Sequence, residues 1–128
     1  MKVYSFEKLE CWQHARILAV WTYTKTKEFP QEEKFGLVSQ MKRASISVAS
    51  NIAEGTSRKT SKDQADFSTI AYSSTNELLN HLIISYDLAY LLQEQYEQGI
   101  EIIEKQTLLI SGSRKSQQRA GFHSFLNS

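Results

Sequence analysis

The stretch from Phe29 to Glu54 repeats apolar residues with the period of an α-helix. At about 100° per residue, one stripe of this helix consists of Leu37, Met41, Ala44, Val48 and Ile52. Ala49, Ala53 and Ile46 extend the apolar surface to about half of the circumference, which is more than one neighbouring helix covers. The pattern predicts a single helix that packs inside its own subunit and against a further surface.

Both ends of this stretch have residues typical of helix ends. Pro30 suits a first turn, because its ring presets φ and its missing N–H costs nothing there. Glu32 and Glu33 follow, where the helix dipole favours carboxylates. Gly55 is suited to the left-handed conformation that commonly ends a helix. We therefore expect one helix with Pro30 in its first turn and Gly55 just after its end.

Helix is the expected structure for the rest of the chain, which has only one proline and five glycines among 128 residues. The predicted helices are helix 1 from about Lys8 to Lys27, helix 2 from Phe29 to Glu54, helix 3 from about Lys62 to Leu92, and helix 4 from Gln93 or Glu94 to Gly112. We predict an all-α, antiparallel up-down-up-down four-helix bundle formed by residues 1–113. Residues 114–128 are predicted to be a flexible polar tail, with a segment that orders on a partner as the alternative.

Helix 3 carries two apolar stripes instead of one. The first has the spacing of a bundle core and includes Phe67, Ala71, Leu78 and Leu82. The second lies more than about 100° away and consists of Tyr72, Leu79, Ile83, Tyr86 and Tyr90. A single bundle would leave this second stripe in water, and contiguous exposed apolar surface usually marks an interface. The sequence therefore predicts a homo-oligomer that assembles through these five residues.

Composition limits the classes of partner and compartment. Fifteen Lys and Arg residues against fourteen Asp and Glu give a net charge of +1, which argues against a dedicated nucleic-acid binder. The single cysteine, Cys11, cannot form an intramolecular disulfide, so a reducing cytoplasm is the expected compartment. No stretch reaches the roughly 20 apolar residues of a membrane helix, and the N-terminus lacks a signal-peptide pattern. We expect no membrane association.

No arrangement of catalytic or metal-binding residues stands out in the sequence. Cys11 and His14 share a helical face, but two ligands fall short of a structural zinc site, and the simpler interpretation is a buried thiol beside a surface imidazole. Glu77 and His81 have a spacing more typical of a structural hydrogen bond or a solvated edge than of a di-iron motif. Phosphate-loop and dinucleotide-binding patterns are absent. We predict a protein that is not an enzyme and binds no metal or cofactor.

Three motifs in and around helix 2 resemble those of a known family. Phe29-Pro30 is followed by G-L-x-x-Q-x-x-R-A at 36–44 and by S-N-I-A-E-G-x-x-R at 50–58. Matching residues outside helix 2 are Phe6, Leu9, Trp12, Gln13 and Ala15 upstream, and Phe67, Ala71, Ser74, Glu77 and Leu78 downstream. From Phe6 to about Ile110, the chain resembles the bacterial four helix bundle protein family, also called the intervening-sequence proteins of 23S ribosomal RNA genes.

The resemblance implies a four-helix bundle that assembles as a homopentamer, since members of that family form five-membered rings. The ribosomal name reflects genes located inside ribosomal RNA genes and does not imply membership of the ribosome. More distant relatives are accessory proteins of diversity-generating retroelements, in which a pentameric helical barrel assists a reverse transcriptase and contacts nucleic acid. This chain lacks their markedly basic balance.

The polar residues that coincide with the resembling pattern are Gln40, Arg43, Asn51, Glu54, Arg58 and Glu77. Amides and carboxylates need hydrogen-bonding partners when they are buried. Arg43 and Glu54 lie about three turns apart on one helix, so they cannot pair with each other. We predict a polar network between helices or between subunits, of the kind that often sets the register of helical interfaces. A ligand site is the alternative.

Basic residues flank the turn between helix 2 and helix 3, and they are Lys42, Arg43, Arg58, Lys59 and Lys62. In a ring they would repeat once per subunit and bind phosphates in a salt-dependent way. The main prediction is a non-catalytic oligomeric scaffold or adaptor. The second prediction is a protein that binds RNA or DNA through this basic belt, and the third is an enzyme.

Overall fold

The computed structural model describes residues 1–127, which contain only helices and the segments that connect them. The four α-helices are Glu10–Thr26 (α1), Leu37–Thr56 (α2), Ser61–Asp87 (α3) and Gln93–Leu126 (α4). Short 3-10 helices precede α1 at Ser5–Lys8 and α2 at Gln31–Glu33. The predicted all-α fold with four helices is confirmed, and the packing is consistent with a four-helix bundle.

Each α-helix packs against two others, so that α1 lies diagonally across the core from α3, and α2 from α4. The larger core cluster includes Leu18, Met41, Leu82 and Ile103. The smaller cluster consists of Cys11, Ala15, Val48, Ala71 and Ile110. Each large side chain buried in this way contributes about 1.5–3 kcal/mol of hydrophobic stabilisation. The apolar stripes of all four helices therefore hold the core together.

The predicted start of helix 2 at Phe29 is wrong, because α2 begins at Leu37. Pro30 has an extended conformation with φ −54° and ψ 141°, and only a single 3-10 turn follows it. The Phe29 side chain is buried and packs against Tyr90, with 5.3 Å between the ring centroids. This burial keeps the segment before α2 off the helix axis, so tertiary packing overrides the local helix-start signal.

Gly55 lies inside α2 rather than beyond its end, since the helix continues to Thr56. A β-carbon at Gly55 would be 3.1 Å from the β-carbon of Phe67 on α3. Glycine therefore permits a close approach of the two helices. No glycine among residues 1–127 has a positive φ, so the expectation that Gly55 ends the helix in a left-handed conformation is wrong.

Helix α3 ends at Asp87 rather than at the predicted Leu92. Ala89 has a φ of 62°, and the backbone N–H of Tyr90 donates to the carbonyl of Ser85 at 2.9 Å. This is the Schellman type of helix ending, which places a left-handed residue just after the helix. The sequence did not reveal it, because alanine is the strongest helix former and glycine is the usual residue at this position.

Replacing Ala89 by glycine is expected to stabilise the fold by about 0.5–1 kcal/mol. A left-handed alanine costs about 1–2 kcal/mol, and glycine avoids this cost while losing more chain entropy on folding. Urea denaturation at one fixed protein concentration measures the change in the free energy of unfolding. Ala120→Gly, in an exposed part of α4, is the control and should destabilise by about 1 kcal/mol. Equal losses in both variants would contradict the left-handed ending.

Helix α4 continues past Gly112 to Leu126, so the predicted stop at Gly112 is wrong. A helical glycine costs only about 1 kcal/mol, and α3 provides a packing surface for the continuation. The Ser68 hydroxyl donates to Oε1 of Gln117 at 2.7 Å, and a β-carbon on Gly121 would lie 3.3 Å from that of Ser61. The domain limit at residue 113 and the mobility of the tail stay predictions, and Ser128 lies outside the described residues.

Candidate functional site

Polar side chains connect α2 and α3 along the side of the core. The Arg43 guanidinium donates from Nη2 to Oε1 of Glu77 at 2.8 Å, and the hydroxyls of Ser47 and Ser74 are 2.8 Å apart. Gln40, about one turn before Arg43, is exposed. Because the ion pair is also exposed, it contributes about 0–1 kcal/mol to stability. A role of this pair in setting the register of the two helices stays a prediction.

The other residues of the predicted polar network form separate local pairs. Arg58 donates to the carboxylate of Glu54 one turn earlier, and its guanidinium lies 4.5 Å from the ring centroid of Phe67. The Asn51 amide donates to the carbonyl oxygen of Ser47 at 2.8 Å and to its hydroxyl at 3.0 Å. The six predicted residues therefore form several contacts within one chain instead of a single connected cluster.

The structure places Lys42 and Arg43 away from the other three residues of the predicted basic belt. Lys42 and Arg58 are sixteen positions apart, which corresponds to about 24 Å along a helix axis. The Lys42 ammonium lies 4.9 Å from the ring centroid of Tyr23, and Lys62 donates to Asp66 at 3.0 Å. With Arg43 and Arg58 in their ion pairs, most of the belt's positive charge already faces a carboxylate or an aromatic ring. These contacts weaken the belt as a phosphate-binding surface.

Two tyrosines of the predicted α3 interface pack against their own chain. The Tyr86 ring stacks on Tyr96 of α4, with 4.3 Å between centroids. Tyr90 packs on Phe29, and its hydroxyl donates to a carboxylate oxygen of Glu33 at 3.1 Å. The expectation that a single chain leaves these rings in water is therefore wrong, because α4 and the segment before α2 cover them.

The remaining three residues of that stripe differ in exposure. Tyr72 is half-buried, with the Arg114 guanidinium 4.9 Å from its ring centroid. Leu79 packs against the larger core cluster. Ile83 alone of the five is exposed, with 41% of its surface accessible. The role of the stripe in assembly stays a prediction, and Ile83 is the member best placed to contact another subunit.

A more continuous apolar surface lies on the outer side of α1 and continues onto α2. Its members are Ile17, Val20, Tyr23 and Ile46. Val20 has 62% of its surface exposed and Ile17 has 56%. Shallow apolar grooves run on both sides of Val20, one beside Trp21 and the other beside Ile46. Sequence reasoning did not assign this surface to an interface, although the apolar residues of helix 1 extend well beyond one stripe.

A cavity of about 240 Å³ lies at the end of the core where α1 begins and α2 ends. Its lining includes Cys11, Ile52, Ser68, Ser113 and Gln117. Behind it, Gln106 is fully buried and donates to the carbonyl of Cys11 at 3.2 Å. Burial raises the pKa of the Cys11 thiol, an effect only partly opposed by hydrogen bonding to the Ser113 and Gln106 side chains. The thiol is therefore neutral and weakly nucleophilic at neutral pH.

Cys11 is expected to react slowly with iodoacetamide at neutral pH compared with glutathione. The rate should rise only at a pH above the ordinary range of a thiol, because the raised pKa keeps the sulfur protonated. Between the ordinary pKa of a thiol and the raised pKa of Cys11, the unfolded chain has lost its thiol proton while the folded chain keeps it. The free energy of unfolding therefore falls as pH rises through this range. Mass spectrometry of timed reactions from pH 7 to 10 measures the rate. Alkylation at the speed of glutathione at pH 7 would contradict the buried placement.

The two residue pairs with possible metal-binding spacing, Cys11 with His14 and Glu77 with His81, do not form the start of a metal site. His14 is buried, and its Nε2 lies 2.8 Å from the carbonyl oxygen of Ile102. The prediction that the His14 imidazole lies at the surface is therefore wrong. Nε2 of His81 lies 3.8 Å from Oε1 of Glu77, which is too long for a hydrogen bond. Within residues 1–127 no three His, Cys, Asp or Glu side chains come together as a metal-binding group. None of the helices described there combines the length and apolarity that a membrane crossing requires.

Comparison with known families identifies the chain. The family model of the 23S rRNA-intervening sequence proteins matches residues 7–112. The chain belongs to this family. The earlier resemblance is thus confirmed, and the match contains the Arg43–Glu77 pair and the apolar surface of α1. The end of α4 after residue 112 lies outside it.

One solved structure gives a comparison for this intervening-sequence protein. It is the crystal structure of a protein with unknown function from the S23 ribosomal protein family of Bacteroides thetaiotaomicron VPI-5482. The two folds have a TM-score of 0.74 at 21% sequence identity, covering 82% of this chain and 98% of that chain. At this identity the similarity supports the fold alone. The comparison with curated proteins finds no match.

Proposed function

We propose that this protein is a non-catalytic scaffold or adaptor whose subunits assemble through the outer surface of α1. The observation that carries the proposal is the exposed apolar surface of Ile17, Val20, Tyr23 and Ile46. Contiguous apolar surface of this kind usually marks an interface. A second copy of the chain is the occupant that we favour, because interfaces between identical subunits are more apolar than other protein contacts.

A closed ring is the assembly expected when each subunit has two different contact surfaces. In a head-to-tail ring, one face of each subunit contacts a different face of the next. The α1 surface supplies one face, and the exposed Ile83 of α3 lies on the helix diagonally opposite. This arrangement supports a ring, and five subunits is the number that the resemblance to this family implies.

The antiparallel up-down-up-down topology is part of the same proposal. Contacts between α2 and α3 run in opposite residue order, since Arg43 pairs with Glu77 and the later Ser47 pairs with the earlier Ser74. The same reversal relates α1 to α4 and α3 to α4. The pairs that support it are Cys11 with Gln106, Trp21 with Gln98, Ser68 with Gln117, and Tyr86 with Tyr96.

The site chemistry favours a role without catalysis. Cys11 is kept protonated by burial, and the His14 imidazole contacts a backbone carbonyl. A nucleophile needs an adjacent base or a lowered pKa, whereas burial raises the pKa of the Cys11 thiol. A protonated, buried cysteine is also compatible with the cytoplasmic location that we propose.

Nucleic-acid binding through the basic belt is the second candidate, and it has less support. Lys59 is exposed, but three of the other four cations, Arg43, Arg58 and Lys62, are within ion-pair distance of a carboxylate. A variant with Lys42, Arg58, Lys59 and Lys62 changed to alanine tests the belt. If the belt binds RNA, this variant loses affinity and its salt dependence becomes shallower.

Light scattering on the purified full chain tests the scaffold proposal. We expect a mass of at least two 14.7 kDa chains, with five chains for the proposed ring. The measurement is made over a hundredfold range of protein concentration, because a weak assembly dissociates on dilution. A single-chain mass at every concentration would show that the α1 surface does not bind a second copy.

A further inference from the structure

At the end of α4, small polar residues face the bundle and large apolar residues face outward. This is the reverse of the arrangement in the rest of the bundle. Its inner side is small and polar, with Gln117 and Gly121 facing the first turns of α3 and Ser113 hydrogen-bonded to Cys11 of α1. Its outer side carries Lys115, Arg119, Phe122 and Leu126, all of them exposed. A helix that only closes the bundle would bury its large apolar side chains. The outer side is therefore built to contact something other than its own chain.

The outer residues form one stripe along the helix. At about 100° per residue, Lys115, Arg119, Phe122 and Leu126 fall within a narrow arc, and Leu108 continues it toward the middle of α4. Phe122 has 61% of its surface exposed and Leu108 has 73%. Lys115, Gln118, Arg119, Phe122 and His123 line an open groove on this side.

The charge of this segment has one sign. Glu104 is the last acidic residue of the sequence, and Lys105, Arg114, Lys115 and Arg119 follow it. Arg114 already covers the Tyr72 ring, but Lys115 and Arg119 face solvent. Gly121 lies beside Ser61, which brings Lys59 and Asp63 to the same end of the molecule and leaves Lys115 and Arg119 as the source of its net positive charge. The partner of such a surface is expected to be anionic.

We propose that the outer side of α4 from Lys115 to Leu126 binds single-stranded nucleic acid. Lys115 and Arg119 contact phosphates, and the Phe122 ring stacks on a base, which is the combination that single-strand binding surfaces use. A helix lying on a lipid surface separates its basic and apolar faces. Here Phe122 lies between Lys115 and Leu126 on the same stripe, so nucleic acid fits better than lipid. This surface lies outside the family match and is independent of the proposed assembly through α1.

Fluorescence anisotropy with a labelled 20-nucleotide RNA, titrated with the full chain at several salt concentrations, tests this proposal. We expect binding at low salt that weakens steeply as salt rises. Phe122→Ala should weaken binding by about fivefold or more, because the loss of one stacked base costs at least about 1 kcal/mol. Lys115→Ala with Arg119→Ala should reduce the slope of log K against log salt by about 1.4, at about 0.7 per phosphate contact.

Matched controls separate this surface from general charge and exposure. Lys25→Ala with Lys27→Ala removes the same charge from the end of α1, and Phe35→Ala removes another exposed aromatic ring. Neither should change the affinity by more than about twofold, which is within a surface mutation's usual ±0.5 kcal/mol. Circular dichroism of Phe122→Ala confirms that the helix content is kept.

Three outcomes would overturn the proposal. The first is no binding of RNA or DNA single strands at low salt. The second is equal affinity of Phe122→Ala and the unchanged chain, which would remove the stacking contact. The third is binding to vesicles with anionic lipids that depends on Phe122 while oligonucleotides do not bind, which would identify a lipid surface as the partner.

Discussion

We expect Val20→Glu to convert the proposed oligomer into single chains without unfolding the helices. Val20 lies at the centre of the outer side of α1, with most of its side chain exposed in one chain. A glutamate at this position costs little in a single chain, because surface substitutions usually stay within about ±0.5 kcal/mol. In an interface the same carboxylate would be buried without a partner, which costs several kcal/mol. Light scattering should therefore give the mass of one chain, with an unchanged far-ultraviolet circular dichroism spectrum.

Leu108→Glu is the matched control for this prediction. Leu108 is even more exposed than Val20 and lies on the outer side of α4, so the same charge is introduced away from the proposed contact. Its assembly mass should not change. Ile83→Glu tests the second surface and should also produce single chains. If Val20→Glu keeps the full mass and Ile83→Glu does not, the α1 surface has been wrongly assigned.

Most of the five residues predicted from the α3 stripe are less useful as probes than Val20. Tyr86 stacks on Tyr96 and Leu79 packs on the core, so a glutamate at either position would destabilise the chain itself. A loss of assembly in such a variant would not distinguish an interface from a folding defect. Ile83 avoids this difficulty because its side chain is exposed.

The number and type of helices could be predicted from the sequence, because apolar residues with a helical period were present in four separate segments. The ends were harder to predict. Pro30 and Gly112 have the residue types of helix boundaries, yet the burial of Phe29 and the packing of α4 on α3 decide where α2 begins and α4 ends. Local signals of about 1 kcal/mol are small beside tertiary packing.

The surfaces were harder to predict than the helices. A wide apolar helix must contact more than one neighbour, but its own sequence does not say whether that neighbour is another helix of the chain or another subunit. For Tyr86 the neighbour is α4, whereas most of the Val20 side chain stays exposed within the chain. The sequence likewise did not show that Arg43 pairs with Glu77, since either side chain could have formed an ion pair with another residue.

Gly99→Ala is expected to destabilise the fold by about 1–3 kcal/mol, the usual cost of overfilling a packed core. A β-carbon at Gly99 would lie 2.5 Å from Cη2 of Trp21 and 2.9 Å from Cδ2 of Leu82. The indole cannot easily move away, because its Nε1 donates to Oε1 of Gln98 at 2.8 Å. The contact therefore outweighs the helix propensity that alanine normally adds.

Gly112→Ala is the matched substitution on the same helix, and it should have the opposite sign. A β-carbon at Gly112 meets no atom within 4 Å beyond its own stretch of helix, so only the gain in helix propensity of about 0.8–1.0 kcal/mol remains. Urea denaturation of both variants at one fixed concentration measures the two changes in the free energy of unfolding. Their difference isolates the packing of α1 on α4 at Trp21, because propensity contributes equally to both. If Gly99→Ala were as stabilising as Gly112→Ala, the two helices would have to be further apart at Trp21 than this fold places them.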